Sequence, residues 1–397
     1  MIQLSDRLLA MEESATIAMS RKSRELKAEG KDIISLSLGE PDFHTPDFIK
    51  QAAVEAMEQN YTMYTPVPGY DDLREAICEK FDRDNGIHYT KDQIVVSTGA
   101  KQSIANVVMS LVNPGDEVII PAPYWVSYVE IVKVADGVSV IVNADIKADF
   151  KITGKQLEDA ITDKTKLVIF STPCNPTGSV YSKEELQELA TVIAKYKHIT
   201  VLSDEIYEHI NFVGKHESLA QFPEVYDQVV TVNGVSKAWA MTGWRLGYIG
   251  APKEIAAACS KVQGQFTSGT SSITQRATIA ALKKDPVFLK DMLAAFKNRK
   301  KLVLEALQNM EGVIVNEPGG AFYFFPDISS FFGKSYNGTK INDANGLTLY
   351  LLEEALVALV TGDAFGDPNC IRISYATDEA TLTKAMDRIA AALKKLK

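Results

Sequence analysis

The chain has 397 residues, of which 46% are hydrophobic and 23% charged, and a formal net charge of −9. This composition excludes a fibrous or disordered chain, and the length predicts two domains, since single cores stop growing at roughly 250 to 300 residues. The acidic balance argues against a nucleic-acid partner, whose phosphates demand a basic face, but not against a small anionic substrate held by a few buried arginines.

Met1 to Arg7 lack a basic stretch followed by an apolar core, so no signal peptide is expected. No uninterrupted apolar run is long enough to cross a bilayer. Cys78, Cys174, Cys259 and Cys370 lie far apart without a Cys-x-x-Cys pair, which argues against disulfides and zinc and for a cytoplasmic protein with reduced thiols.

Leu4 to Glu29 carries a helical, partly charged pattern and leads into a strand-like run, Ile33 to Leu38, broken by Gly39-Glu40-Pro41-Asp42-Phe43. A helix over Asp47 to Gln59 precedes an irregular loop rich in tyrosine and proline, Tyr61 to Tyr70, and a second helix over Asp72 to Arg83 follows. Strands and helices then alternate. Gln93 to Thr98 reads as a strand, Gly99 as a tight break and Ala100 to Leu111 as a helix, an order that leaves unpaired backbone donors and the positive end of a helix dipole for an anion. Asn113 to Asp116 is a turn before the strand Glu117 to Pro121, and Pro123 to Tyr128 groups aromatic residues that either fill a core or stack on a flat ring. Further strands are expected at Val138 to Val142, Lys166 to Ser171, Ile199 to Ser203, Val229 to Asn233 and Arg245 to Gly250. Between them Ser182 caps a helix over Lys183 to Tyr196, with Glu185 at the capping-box position. The pattern implies a largely parallel sheet with helices on both faces, and active residues at the carboxyl ends of its strands.

Two polar segments occupy such ends: Thr172 to Gly178, containing Asn175, and Asp204-Glu205-Ile206-Tyr207. Either has a plain reading, the first as a turn and the second as a helix cap. A third segment runs from Ser236 to Tyr248. It sets Lys237 in an apolar, aromatic, glycine-broken stretch, with a hydroxyl before it and Arg245 beyond it. Desolvation favours a neutral lysine, and a neutral amine forms a Schiff base with an aldehyde. Arg245 offers a planar fork suited to a phosphate. Beyond Ala251 helical patterns dominate to Met310, including a long helix from Pro286. Short strands follow at Val313 to Val315, Ala321 to Phe325, Ala358 to Val360 and Cys370 to Tyr375, and a helix over Asp378 to Leu396 closes the chain.

Ser236-Lys237-x-x-x-Met241-Thr242-Gly243-Trp244-Arg245-x-Gly247-Tyr248 resembles the lysine signature of the class I aminotransferases, pyridoxal-phosphate enzymes of fold type I, and most resembles their bacterial aspartate branch, 1-beta. Matches in the expected order run from Gly39 to Arg372. The resemblance implies an α/β fold: a large domain over residues 45–285 with a mostly parallel seven-stranded sheet flanked by helices, and a smaller α+β domain from 1–44 and 286–397. It implies that Lys237 holds pyridoxal 5'-phosphate and moves the substrate proton, that Asp204 pairs with the ring nitrogen, and that Tyr207 and Asn175 bond the ring oxygen. Trp125 stacks on the ring. Ser236, Arg245 and the backbone of Gly99, Ala100 and Lys101 hold the phosphate, joined by Tyr64 of a second subunit in a homodimer with shared sites. Arg372 grips the α-carboxylate, with Gly39 contributing through its backbone.

The reaction implied is transamination between L-aspartate and 2-oxoglutarate, with small amino acids and 2-oxo acids as partners and no nucleic acid or membrane. Other aminotransferase specificities (prephenate, aromatic, alanine), a pyridoxal-phosphate lyase or decarboxylase, and a non-catalytic ligand-binding regulator are the alternatives. The branch reads a second carboxylate with Lys101 and the loop Ser14-Ala15-Thr16. Members that aminate prephenate carry a basic residue before that loop, where this chain has Glu12 and Glu13, so prephenate is expected to be a poor substrate.

Overall fold

The structure, a computed structural model, describes residues 2–397. The strands in chain order are β1 (Ile34–Ser35), β2 (Ile94–Ser97), β3 (Glu117–Ala122), β4 (Val138–Asn143), β5 (Thr165–Ser171), β6 (Thr200–Asp204), β7 (Val229–Gly234), β8 (Gly247–Gly250), β9 (Tyr323–Phe324), β10 (Ser335–Tyr336), β11 (Thr339–Lys340), β12 (Val357–Ala358), β13 (Val360–Thr361) and β14 (Ile371–Ser374). Seven of them form one sheet in the order β2-β8-β7-β6-β5-β3-β4. The pairs from β7 to β4 are parallel, and β8 runs antiparallel to both of its neighbours.

The near-continuous apolar strands follow from burial of both faces. Alternate side chains point to opposite sides, so Val95, Val118, Ile120, Leu167, Ile169, Leu202, Val230, Val232 and Ile249 form one core with Ile104, Val107 and Val108 of the helix Ala100–Leu111 and Cys259 of Lys253–Phe266. The intervening Ile94, Val96, Ile119, Val168, Val201 and Val229 join a larger core with Leu186, Leu189 and Ile193 of the helix Lys183–Ile193 and with Leu73 and Ile77 of Asp71–Lys80. Ser182 caps its helix as expected: its hydroxyl accepts from the Glu185 amide at 3.2 Å, and the Glu185 carboxylate accepts from the Ser182 amide at 2.7 Å.

The sheet collects chain ends on one edge. Parallel strands β5, β6 and β7 finish there at Ser171, Asp204 and Gly234, while antiparallel β8 starts there, Gly247 lying opposite both Ser97 and Gly234. A second, three-stranded antiparallel sheet, β13-β14-β9, carries Arg372 on its central strand. The N-terminal β1 pairs in parallel with β12.

Several elements differ from the sequence reading. The first helical stretch divides into Asp6–Leu9 and Ala15–Ala28. Ile33 to Leu38 contributes only the two residues of β1 as strand, and Val313 to Val315 makes one isolated bridge, Ile314 to Asp327, instead of a strand. Arg245 stands before β8 rather than in it: it follows the short turn Thr242–Trp244 with φ +56, in the left-handed region. The structure also contains the helices Ser127–Val134, Gly154–Ala160 and Ala344–Tyr350.

Candidate active site

The strand ends enclose a cavity of about 480 Å³. Lys237, three residues past β7, reaches into it from a loop tightened by bonds from the Met241 amide to the Ser236 carbonyl and from the Ala240 amide to the Lys237 carbonyl. Its amine donates to the Gly39 carbonyl at 2.6 Å and lies 5.7 Å from the centre of the Tyr207 ring. Burial, then the charge of Arg372, lowers its pKa to about 8.

Asp204 ends β6, buried, and accepts from the Tyr128 hydroxyl at 2.8 Å and the Ile206 amide at 3.3 Å. Burial raises its pKa to about 6, against the pull of the Tyr128 bond. Tyr207, three residues on, is also buried, with its hydroxyl 2.7 Å from that of Tyr323.

Arg372 is 2% exposed. Its guanidinium donates to Asn175 Oδ1 at 3.0 Å and the Ser37 carbonyl at 2.6 Å, and stands 4.7 Å from the ring centre of Tyr323 and 4.8 Å from that of Phe365. Its Nε has no hydrogen-bond partner, and no carboxylate pairs with it among the described residues. A buried cation without a counter-ion is costly unless an anion arrives, so the arrangement is built to receive one. Asn175 is held by this bond at the end of the β5 segment.

A second anion-ready place lies at the N-terminus of the helix Ala100–Leu111. Gly99 precedes it with φ +84, and a Cβ there would collide with the Arg245 guanidinium. Glycine therefore lets that arginine approach the unpaired amides of the first turn. Ala100, Lys101, Ser236 and Arg245 all line the cavity, and Arg245 is steadied by donating to the Thr242 carbonyl at 2.8 Å. The Lys101 amine lies 4.9 Å from the ring centre of Trp125, its pKa lowered by partial burial and then by Arg245. Ser14 and Thr16 reach the cavity wall, where the buried Thr16 hydroxyl has no partner.

Gly39 sits where a Cβ would strike the Tyr323 hydroxyl. Its loop is anchored by a bidentate bond from Arg299 to Asp42, at 2.6 and 2.8 Å, and by a bond from Thr242 to Glu40.

Of the residues singled out in the sequence, Thr16, Gly39, Ala100, Lys101, Trp125, Asn175, Asp204, Tyr207, Ser236, Lys237, Arg245 and Arg372 all line this one cavity. Gly99 stands just behind Arg245, and Tyr64 lies elsewhere, 98% exposed on a neighbouring open groove with Thr62, Met63 and Thr65. Glu12 and Glu13 do not line the cavity. Glu13 is paired with Arg21 at 2.5 and 3.0 Å, while Glu12 is exposed and its carboxylate is in no ion pair among the described residues. Sequence reasoning passed over Tyr128 and Tyr323. The first lay in a run read as an aromatic cluster, three residues after Trp125. The second lay in the five-residue strand Ala321 to Phe325, where nothing set it apart from the core.

Residues 31–389 match the family model described as aminotransferase class I and II. The chain is 47% identical over 401 residues to a bifunctional aspartate aminotransferase and glutamate/aspartate-prephenate aminotransferase of Petunia hybrida, covering all of this chain and 84% of the other. It is 47% identical over 391 residues to an aspartate/prephenate aminotransferase of Cereibacter sphaeroides, covering 98% of each. Among solved structures it is similar to the aspartate aminotransferase of Rhizobium meliloti, with TM-score 0.97 and 43% identity over the whole of both chains. The aspartate aminotransferase of Thermus thermophilus with maleate follows at TM-score 0.93 and 40% identity, over 99% of this chain and 100% of the other.

Proposed function

The chain belongs to the class I and II aminotransferases, which depend on pyridoxal phosphate, and from that premise we propose that it exchanges amino groups between L-aspartate and 2-oxoglutarate, giving oxaloacetate and L-glutamate. The observation that carries the reading is Arg372, a buried guanidinium with no carboxylate partner, in one cavity with an amine of lowered pKa and with Lys101. Arg372 suits the α-carboxylate through two parallel bonds, and Lys101 with Thr16 suits the second carboxylate of a dicarboxylic substrate.

The residues present fit the cofactor. The unpaired amides of Ala100 and Lys101, the Ser236 hydroxyl and Arg245 form a cradle for a phosphate dianion. The Asp204 carboxylate faces a site where a ring nitrogen carrying a proton would hold it ionised, and Tyr207 and Asn175 offer donors for the ring oxygen. Trp125 supplies an aromatic face. Bound there, pyridoxal phosphate supplies an aldehyde for the amino group and a ring that takes up electrons when the α-proton leaves. Lys237 holds and returns that proton, a task for which an amine near pKa 8 is matched at neutral pH. One site serving donor and acceptor in turn predicts ping-pong kinetics.

We assign residues 45–285 to the large domain and 1–44 with 286–397 to the smaller, a division supported by the pairing of β1 with β12. A homodimer in which Tyr64 of one subunit reaches the phosphate of the other fits that residue's exposure, and four free cysteines fit a cytoplasmic setting. No helix among the described residues is long and apolar enough to cross a membrane. Prephenate is the second reading, favoured by the names of the Petunia and Cereibacter relatives. Specificity constants decide between them. The expected result is rapid exchange between aspartate and 2-oxoglutarate with slower use of prephenate, and the absence of aspartate-dependent exchange sinks the proposal.

A further inference from the structure

Tyr323 belongs to none of the roles assigned above, yet it touches three of the residues that carry them. It sits on β9, beside the β14 strand of Arg372, and is fully buried. Its hydroxyl is 2.7 Å from that of Tyr207, its ring lies 4.7 Å from the Arg372 guanidinium carbon, and its hydroxyl blocks the space that a Cβ on Gly39 would take. The rings of Tyr207 and Tyr323 meet edge to face, with centres 5.8 Å apart and planes at 81°.

A phenol has one proton to donate. When Tyr207 donates into the cavity, its bond with Tyr323 can persist only with Tyr323 as the donor. The two hydroxyls then form a short chain, Tyr323 to Tyr207 to the cavity, in which each bond polarises the next in a medium of low dielectric. The same ring braces Arg372 through its aromatic face. We propose that Tyr323 is a positioning residue with two separable parts: its hydroxyl sharpens Tyr207 as a donor to the cofactor ring oxygen, and its ring holds Arg372 in place for the α-carboxylate. This rests on the aminotransferase reading above.

The hydroxyl and the ring can be removed one at a time in the holoenzyme. Tyr323→Phe keeps the ring, and Tyr323→Leu loses both parts. The readouts are the pH midpoint of the visible absorption change of the bound cofactor, and the dissociation constant of an unreactive dicarboxylate such as succinate, titrated by absorbance. Weakening the donor to an oxygen that is anionic above the midpoint raises that midpoint, so Tyr323→Phe is expected to shift it upward by about half to one unit, the equivalent of one hydrogen bond. Succinate binding should stay within about twofold in that variant and weaken about tenfold or more in Tyr323→Leu. In a Tyr207→Phe background the hydroxyl should no longer matter, so adding Tyr323→Phe leaves the midpoint where Tyr207→Phe put it. An unmoved midpoint in Tyr323→Phe overturns the proposal, and so does an equal shift in the Tyr207→Phe background, because the hydroxyl then acts by another route. Equal loss of succinate affinity in the Phe and Leu variants overturns the part assigned to the ring. A parent protein that takes up no pyridoxal phosphate overturns the underlying aminotransferase reading as well, which keeps the two failures distinct.

Discussion

Arg372 and Asp204 illustrate how burial sets function at the scale of single residues. Arg372 is kept in the site by an amide, a backbone carbonyl and two aromatic rings, none of which neutralises it. The contact proposed for it is the α-carboxylate, the group common to all amino acids, so Arg372→Lys, which keeps charge but loses the fork, should raise KM for aspartate and glutamate alike by about tenfold to a hundredfold. Steady-state kinetics with both donors check this, and a rise confined to one donor places Arg372 at the side-chain end instead. Asp204 behaves differently because its charge is disfavoured by burial until a cation faces it: free of such a cation its pKa is raised to about 6. A ring nitrogen bearing a proton lowers that value, so binding expels a proton from Asp204 below pH 6 and is progressively opposed as pH falls. Cofactor affinity should hold level from pH 8 to about 6.5 and then fall by up to about tenfold per pH unit. Asp204→Asn should bind more weakly and lose that bend, as equilibrium dialysis across this range will show.

At the scale of elements, the strands of the large sheet were legible because both faces are buried and their residues are almost all apolar, so even β5 and β7 stand out by composition alone. The segment Asp204 to Glu208 was legible only in half. Asp204 and Tyr207 were read for chemistry, but the residues between and after them, Glu205 and Glu208, turn to a buried polar network that no local pattern reveals. Glu205 accepts from Ser203 at 2.9 Å, Ser218 at 2.7 Å and His216 at 2.9 Å, while Glu208 is paired with Lys80 and accepts from Asn85 at 2.7 Å. Lys80 and Asn85 are distant from Glu208 in sequence, and only the packing of the helix Asp71–Lys80, beside β2, brings Lys80 there. Against the upward push of burial, Lys80 and then His209 hold Glu208 well below the usual carboxylate range. Lys80→Met leaves that carboxylate buried without its ammonium partner, so it should destabilise the protein by about 3–5 kcal/mol, and adding Glu208→Leu should recover much of the loss. Urea unfolding of the holoenzyme measures both. A double variant as unstable as the single one shows instead that the network's hydrogen bonds, and not the stranded charge, carry the effect.

For the molecule as a whole, the catalytic cavity is assembled from one chain while one proposed participant stays outside it. Tyr64 is 98% exposed and Met63 81%, beside a groove walled by Gly269 to Ser272, and Phe266 nearby in sequence is 66% exposed. Large apolar side chains bared together mark a surface that another molecule covers. If that molecule is a second copy related by a two-fold axis, each site takes Lys237 from one subunit and Tyr64 from the other. The geometry predicts complementation. Lys237→Ala and Tyr64→Ala homodimers are each impaired, because every site in the first lacks the amine and every site in the second lacks the phosphate donor. A mixed dimer of the two places both defects in one site and leaves the other intact. Random exchange of subunits makes half of the dimers mixed, so the mixture should regain about a quarter of the parental activity. Tyr64 acting within its own subunit predicts no recovery, since neither chain then carries a complete site. Mixing the purified variants at low denaturant, removing it and assaying aspartate-dependent exchange separates the two arrangements by a result visible above the sum of the parents.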